Sequence, residues 1–149
     1  MSEINGIYAA SVSILDKNLV LDIDKTIKHS ENLIEQGCHG TAIFGSTGQA
    51  QLISLEEKIK LIEQLSKNKY KENFLIGTGL NSLNDTILFL KVCKSFHFKK
   101  FLIMPPAYYF YSDKDVINFY TKIIENISDC KIILYNFEKL CGYKFSIEC

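Results

Sequence analysis

The chain has 149 residues and contains neither arginine nor tryptophan. All 17 of its strongly basic side chains are lysines, so an anion site here must be built from ammonium, hydroxyl or backbone N–H donors, without a planar guanidinium fork. Proline is confined to Pro105 and Pro106, and no Gly-, Pro- or Ser-rich stretch marks a linker, so 1–149 reads as one domain with no second. The five cysteines are odd in number and form no C-x-x-C pair, and no basic stretch followed by an apolar run resembles a signal peptide. A reduced, cytoplasmic location is the expectation. Uncharged runs stop short of the roughly 18–20 apolar residues of a membrane span, so no membrane association is expected. The 17 basic and 17 acidic residues cancel, which leaves no field to draw in nucleic acid. His29, His39 and His97 lack metal-ligand spacing, so neither a metal nor another cofactor is expected.

What is present alternates between two periodicities. Short runs apolar on both faces, at 6–14, 41–44, 74–77, 101–104 and 132–135, predict five buried parallel strands. Between them, apolar residues recur at helical spacing: Ile23, Ile27 and Ile34; Leu55, Ile59, Ile62 and Leu65; Leu83, Ile87, Leu90 and Cys93; Val116, Phe119, Tyr120, Ile123 and Ile127. Four helices follow. Ser54 with Glu57 reads as a capping box, Ser82 with Asp85 and Ser112 with Asp115 as shorter-armed versions, and Gly37 as the left-handed end of the first helix. Strand centres about 30 residues apart match one strand, one helix and two loops, so the chain predicts βαβαβαβαβ with a parallel sheet.

The sharpest motif is Gly45-Ser46-Thr47-Gly48-Gln49, where the second strand turns toward a helix. Two adjacent hydroxyls with their N–H groups can hold a carboxylate or phosphate, and the carboxyl ends of parallel strands are where α/β proteins bind ligands. Pro105-Pro106-Ala107-Tyr108-Tyr109 and Tyr135-Asn136 fall at the same end of the sheet. Hydroxyls from three strand ends projected to one rim suggest a polar site assembled by separate loops.

These segments, with Leu134-Tyr135-Asn136-Phe137, Gly142, Gly77-Thr78-Gly79 and Ala10 and Ser13 in the first strand, resemble the dihydrodipicolinate synthase and N-acetylneuraminate lyase family. The resemblance spans essentially all 149 residues, with the motifs in the family's order. It implies a TIM (β/α)8-barrel and class I aldolase chemistry on pyruvate or another 2-keto acid plus an aldehyde, through a lysine Schiff base, in homotetramers. It further implies that Ser46, Thr47 and Gly48 bind the keto acid's carboxylate. Tyr135 would shuttle protons, with Thr47 relaying toward a Tyr108 contributed by a neighbouring subunit.

The family's Schiff-base lysine lies on a sixth strand, whereas this chain stops at Cys149. Lys100, Lys131 and Lys139 read as solvated and do not replace it. A (β/α)8 barrel also takes at least about 200 residues. The expectation is therefore a barrel truncated after about five strands and four helices, from a frameshift, an incomplete gene or a partial sequence, poorly soluble and inactive alone. The family's Tyr-Asn-x-Pro is Tyr135-Asn136-Phe137-Glu138 here, its Glu after the Gly-x-Thr-Gly turn is Gln49, and Leu140 replaces the Arg with which dihydrodipicolinate synthases grip a second carboxylate. Leu140 favours a 2-keto-3-deoxy sugar acid or another aldehyde over aspartate semialdehyde. Two other readings fit the length: a flavodoxin-like flavin- or phosphate-binding module, and a non-catalytic, partner-binding remnant.

Overall fold

The computed structural model describes residues 4–149; residues 1–3 of the expected domain lie outside the described residues. Five parallel strands pair in chain order: β1 (Tyr8–Ala10), β2 (Gly40–Ile43), β3 (Phe74–Gly77), β4 (Lys100–Ile103) and β5 (Lys131–Leu134). The connecting helices are α1 (Ile23–Glu35), α2 (Leu55–Leu65), α3 (Leu83–Ser95) and α4 (Asp113–Asn126), and a single turn, α5 (Glu138–Cys141), follows β5. The sequence pattern did not reveal α5, whose four residues are too few to carry a periodicity.

Strand order decides between the two α/β readings. A flavodoxin-like sheet runs 2-1-3-4-5 with its first strand inside, whereas here β1 is an edge and each strand lies beside its successor. That is the order of a (β/α)8 barrel wall, and it overturns the doubly wound alternative. The central strands β2 and β3 are buried along their whole length, while β1 and β5 are partly open.

β3 coincides with its apolar run and β1 keeps only 8–10 of the run at 6–14, whereas β2, β4 and β5 each start and stop one residue early, because the ladder admits Gly40, Lys100 and Lys131 and releases Phe44, Met104 and Tyr135 to the rim. Lys100 is not solvated as expected. Only 9% of it is exposed, its Nζ donates to the Glu72 carbonyl at 2.6 Å, and the ammonium stands 6.0 Å from the Tyr8 ring centroid. Lys139, in the α5 turn, is exposed as expected.

The core lies between the sheet and α2, α3 and α4, where Ile62, Leu65, Phe89, Leu90, Phe101 and Ile123 are fully buried. Each such side chain stabilises the fold by roughly 1.5–3 kcal/mol relative to exposure. Helix α1 differs: its buried positions are Thr26 and Ser30, and the Ser30 hydroxyl meets that of Ser11, just beyond β1, at 2.8 Å. The α1 interface thus adds hydroxyl pairing to the expected apolar contacts of Ile23, Ile27 and Ile34, which pack half-buried against the core.

Helix starts follow the caps. Ser54 and Glu57 form a complete capping box, as do Ser112 and Asp115, whereas Ser82 accepts from the Asp85 amide without the return bond. Glu57 also accepts from the Leu21 amide at 2.8 Å, tying the segment before α1 to the start of α2. These bonds to the carboxylate, the Leu21 amide foremost, hold its pKa below 4.5. Glu57→Ala should lower stability by about 1–2 kcal/mol, since it removes a cap and strands a backbone donor. A depressed carboxylate pKa stabilises the fold above the unfolded value and less as protons bind. The deficit of the variant in urea unfolding should therefore be full at neutral pH and shrink as the pH falls below 4.5.

Candidate functional site

The 45–49 turn is held in shape by its own backbone. β2 ends at Ile43, Phe44 adopts φ +55° and Gln49 φ +49°, and between them the Gln49 amide donates to the Ser46 carbonyl at 3.0 Å and the Ala50 amide to Gly45 at 3.3 Å. From the far side the Ser13 hydroxyl donates to the Gly48 carbonyl at 2.6 Å. Among the described residues the N–H groups of Ser46, Thr47 and Gly48 donate to no protein group, and the Ser46 and Thr47 side chains are exposed. Three consecutive free amides with two hydroxyls make a concavity suited to a carboxylate or phosphate.

Tyr135 reaches this turn from the other side of the sheet. Its amide donates to the Ile103 carbonyl at 3.0 Å, fixing it just past β5, and its phenol donates to the Ser46 hydroxyl oxygen at 2.9 Å. In a flat sheet β2 and β5, with two strands between them, would lie about 14 Å apart. A phenol does not span that gap unaided, so the contact requires the sheet to curl inward as a barrel wall does.

Inside the curl is a cavity of about 250 Å³. The turn lines it through Gly45, Ser46 and Gln49, and Tyr135, Leu140 and Cys141 face it from β5 and α5. Its floor is mostly apolar, with Leu102 and Met104 from β4 and its end, and the Gln51 amide nitrogen lies 3.4 Å from the Met104 sulfur. A mostly apolar cleft with a few convergent polar groups is the usual form of a small-molecule site.

Thr47 and Tyr108 stand apart from this contact. The phenol of Tyr135 meets the Ser46 hydroxyl, not that of Thr47. The register explains it: Ser46 stands nearer the strand end, facing the curl, and Thr47 lies at the tip of the turn with its hydroxyl unengaged. Tyr108 does not join the site within this chain. It is 87% exposed at φ +84°, stacked edge-on with Tyr109 at 4.9 Å, on a loop pinned by the Ala107 amide donating to Asn81 at 2.9 Å. The described residues contain no group of His, Cys, Asp or Glu able to hold a metal ion.

The profile of the dihydrodipicolinate synthetase family matches residues 3–149. The 4-hydroxy-tetrahydrodipicolinate synthase of Karelsulcia muelleri (strain GWSS) is 30% identical over 151 residues, covering 99% of this chain and 50% of that protein. N-acetylneuraminate lyase 2 of Escherichia coli O6:H1 is 26% identical, over 98% of this chain and 48% of its own length. Among solved structures, a Sulfolobus solfataricus 2-keto-3-deoxygluconate aldolase variant in its pyruvate complex superposes with a TM-score of 0.84 at 25% identity, over 94% of this chain and 47% of that one. The chain thus spans about half the length of the curated relatives it matches.

Behind the cavity wall lies a residue that the motif reading passed over. Lys58 on α2 is fully buried, its Nζ donating to the Thr78 carbonyl at 2.9 Å and to Gly79 at 3.4 Å, and standing 5.8 Å from the Phe44 ring centroid. The signal was available: Leu55, Lys58, Leu61, Ile62 and Leu65 form one stripe at helical spacing, so a lysine occupies a core position. Burial away from water lowers its pKa from 10.5 to about 8. A base whose folded pKa is lowered sheds its proton sooner in the folded state than in the unfolded one, so stability climbs with pH between the two values. Denaturant unfolding should show a gain on the order of 3 kcal/mol from pH 8 to pH 10.5, absent from Lys58→Met.

Proposed function

The chain belongs to the dihydrodipicolinate synthetase family, and from that premise we propose that its rim is the keto-acid-binding and proton-transfer half of a class I aldolase site. The observation that carries the reading is the 2.9 Å contact between Tyr135 and Ser46 beside three free amides. The substrate class is pyruvate or another 2-keto acid. Its carboxylate sits in the turn, accepting from the Thr47 hydroxyl and the amides of Ser46, Thr47 and Gly48. That arrangement suits a chain with no arginine.

With the carboxylate so held, the keto carbon points into the curl and its oxygen toward the Tyr135 phenol. When an amine adds to that carbon, the phenol gives a proton to the departing oxygen, which leaves as water. Ser46 then passes its hydroxyl proton to the phenolate and takes one from water at the open rim, so both groups end neutral. A phenol serves both directions without a buried formal charge. The family's amine lies on a sixth strand, so these residues supply binding and proton transfer and not the nucleophile. Leu140 lines the cavity where a second carboxylate would need a cation, which favours an uncharged or hydroxylated aldehyde over an anionic one. Lyase chemistry, a cytoplasmic setting and a tetramer in which Tyr108 completes a neighbour's site belong to the same reading. The apolar side chains exposed on that loop, Phe110 at 99% among them, support an interface there.

Titrating the ¹⁵N-labelled chain with pyruvate tests it. The amide signals of Ser46 to Gln49 should move, and Thr47→Val, which keeps the shape and removes the hydroxyl, should weaken binding about tenfold. Pyruvate that leaves the turn unmoved, or shifts only residues elsewhere, overturns the assignment.

A further inference from the structure

We propose that Lys58 is a positioning residue for the carboxylate-holding turn: a hydrogen-bonding latch that pins the Thr78–Gly79 bend against both ends of the 45–49 segment. Its head reaches each part. It donates to the Thr78 and Gly79 carbonyls and lies over the face of Phe44, the residue leading into the turn. The bend in turn bears on the turn's far end. Gly79, at φ +54°, approaches so closely that a Cβ built on it would lie 2.2 Å from the Cβ of Ala50, whose amide closes the turn on Gly45. Two residues earlier, a Cβ on Gly77 would lie 2.3 Å from the Phe44 carbonyl oxygen. With no space between the bend and either flank, a shift of the bend moves the turn.

The environment makes the cation's charge matter. No carboxylate of the described residues pairs with Lys58. The charged groups on the elements packed around it are engaged elsewhere. Glu57 serves Ser54 and Leu21, Glu56 pairs with Lys60, and Asp24 on α1 accepts from Gln64. Asp85, at the start of α3, adds no charge effect to the lysine, whose lowered pKa arises from burial alone. Two carbonyl dipoles and one aromatic face are therefore all that hold the ammonium. Burial costs the ammonium more than these contacts return, so in the closed site the side chain sheds its proton near 8 and goes on donating to the same oxygens as an amine. A side chain needed only to fill this space would be apolar, like Leu61 and Leu65 on the same stripe.

The inference depends on the proposed function only for what the turn holds; the latch is measurable without any ligand. In the ¹⁵N-labelled 149-residue chain, exchange protection of the Gln49, Ala50 and Thr78 amides, corrected for the intrinsic rate, should rise about tenfold between pH 7 and pH 9, because an opening of the bend that frees Lys58 to water returns its pKa from about 8 to 10.5 and takes up a proton. Lys58→Arg, which keeps its charge throughout, should keep protection flat over the same range. Lys58→Met should show low protection at both pH values with its circular dichroism unchanged. If that variant does not fold, wild type against Lys58→Arg decides alone. Protection that is constant with pH in the wild type, or that rises equally in Lys58→Arg, overturns the latch. In parallel, pyruvate affinity at pH 7 and pH 9 separates the two claims. A turn whose protection rises with pH but that binds no pyruvate keeps the latch and removes the keto-acid reading.

Discussion

A sheet whose strands all run the same way and pair in chain order has a single carboxyl rim, and every loop leaving a strand empties onto it. Here that rim also curls. Ser46 and Tyr135 follow strands that are not neighbours, yet a hydrogen bond joins them. The site therefore belongs to no single segment. Curvature of the wall sets the separation of its parts, and the packing of α2, α3 and α4 behind the sheet sets the curvature. Damage to that packing would reach the rim without altering any residue on it.

The turn after β2 carries its polarity in a form that suits an arginine-free chain. Backbone amides and hydroxyls are short, so they define an anion's position more narrowly than a flexible ammonium could. Elsewhere, too, hydroxyls do work that apolar or charged groups do in other barrels. Ser30 with Ser11 and Thr26 with the Ile14 amide join α1 to the first strand's continuation. The buried hydroxyl oxygens of Thr41 and Thr78 have no partner at all among the described residues.

Much of this was legible in the sequence, for identifiable reasons. Strands β2 to β5 were found within a residue because buried parallel strands read as unbroken apolar runs, and Ser54-Glu57 announced α2 because a capping box is a local device. The first strand was overestimated. The run at 6–14 is rich in apolar residues, but only Tyr8–Ala10 is laddered, and the residues after it turn along the rim to support Gly48 through Ser13. What local pattern could not supply was partnership across the sheet. Nothing in Ser46-Thr47 tells which hydroxyl faces a phenol from residue 135, since the choice depends on curl. Lys58 was passed over and Lys100 read as solvated for a related reason. A lysine reads as solvated unless the carbonyls that receive it are known, and those carbonyls lie on other strands and turns.

Phe44 and Gln49 bracket the turn in a left-handed backbone conformation that ordinary side chains adopt at a cost of order 1 kcal/mol or more. Phe44 is kept there by its ring, wedged edge-on against Phe89 with centroids 6.3 Å apart. Glycine at that place would ease the backbone and release the wedge together. Comfort and accuracy are thus opposed at this corner of the molecule: the arrangement that would relax the chain most would also blur the outline into which a ligand must fit.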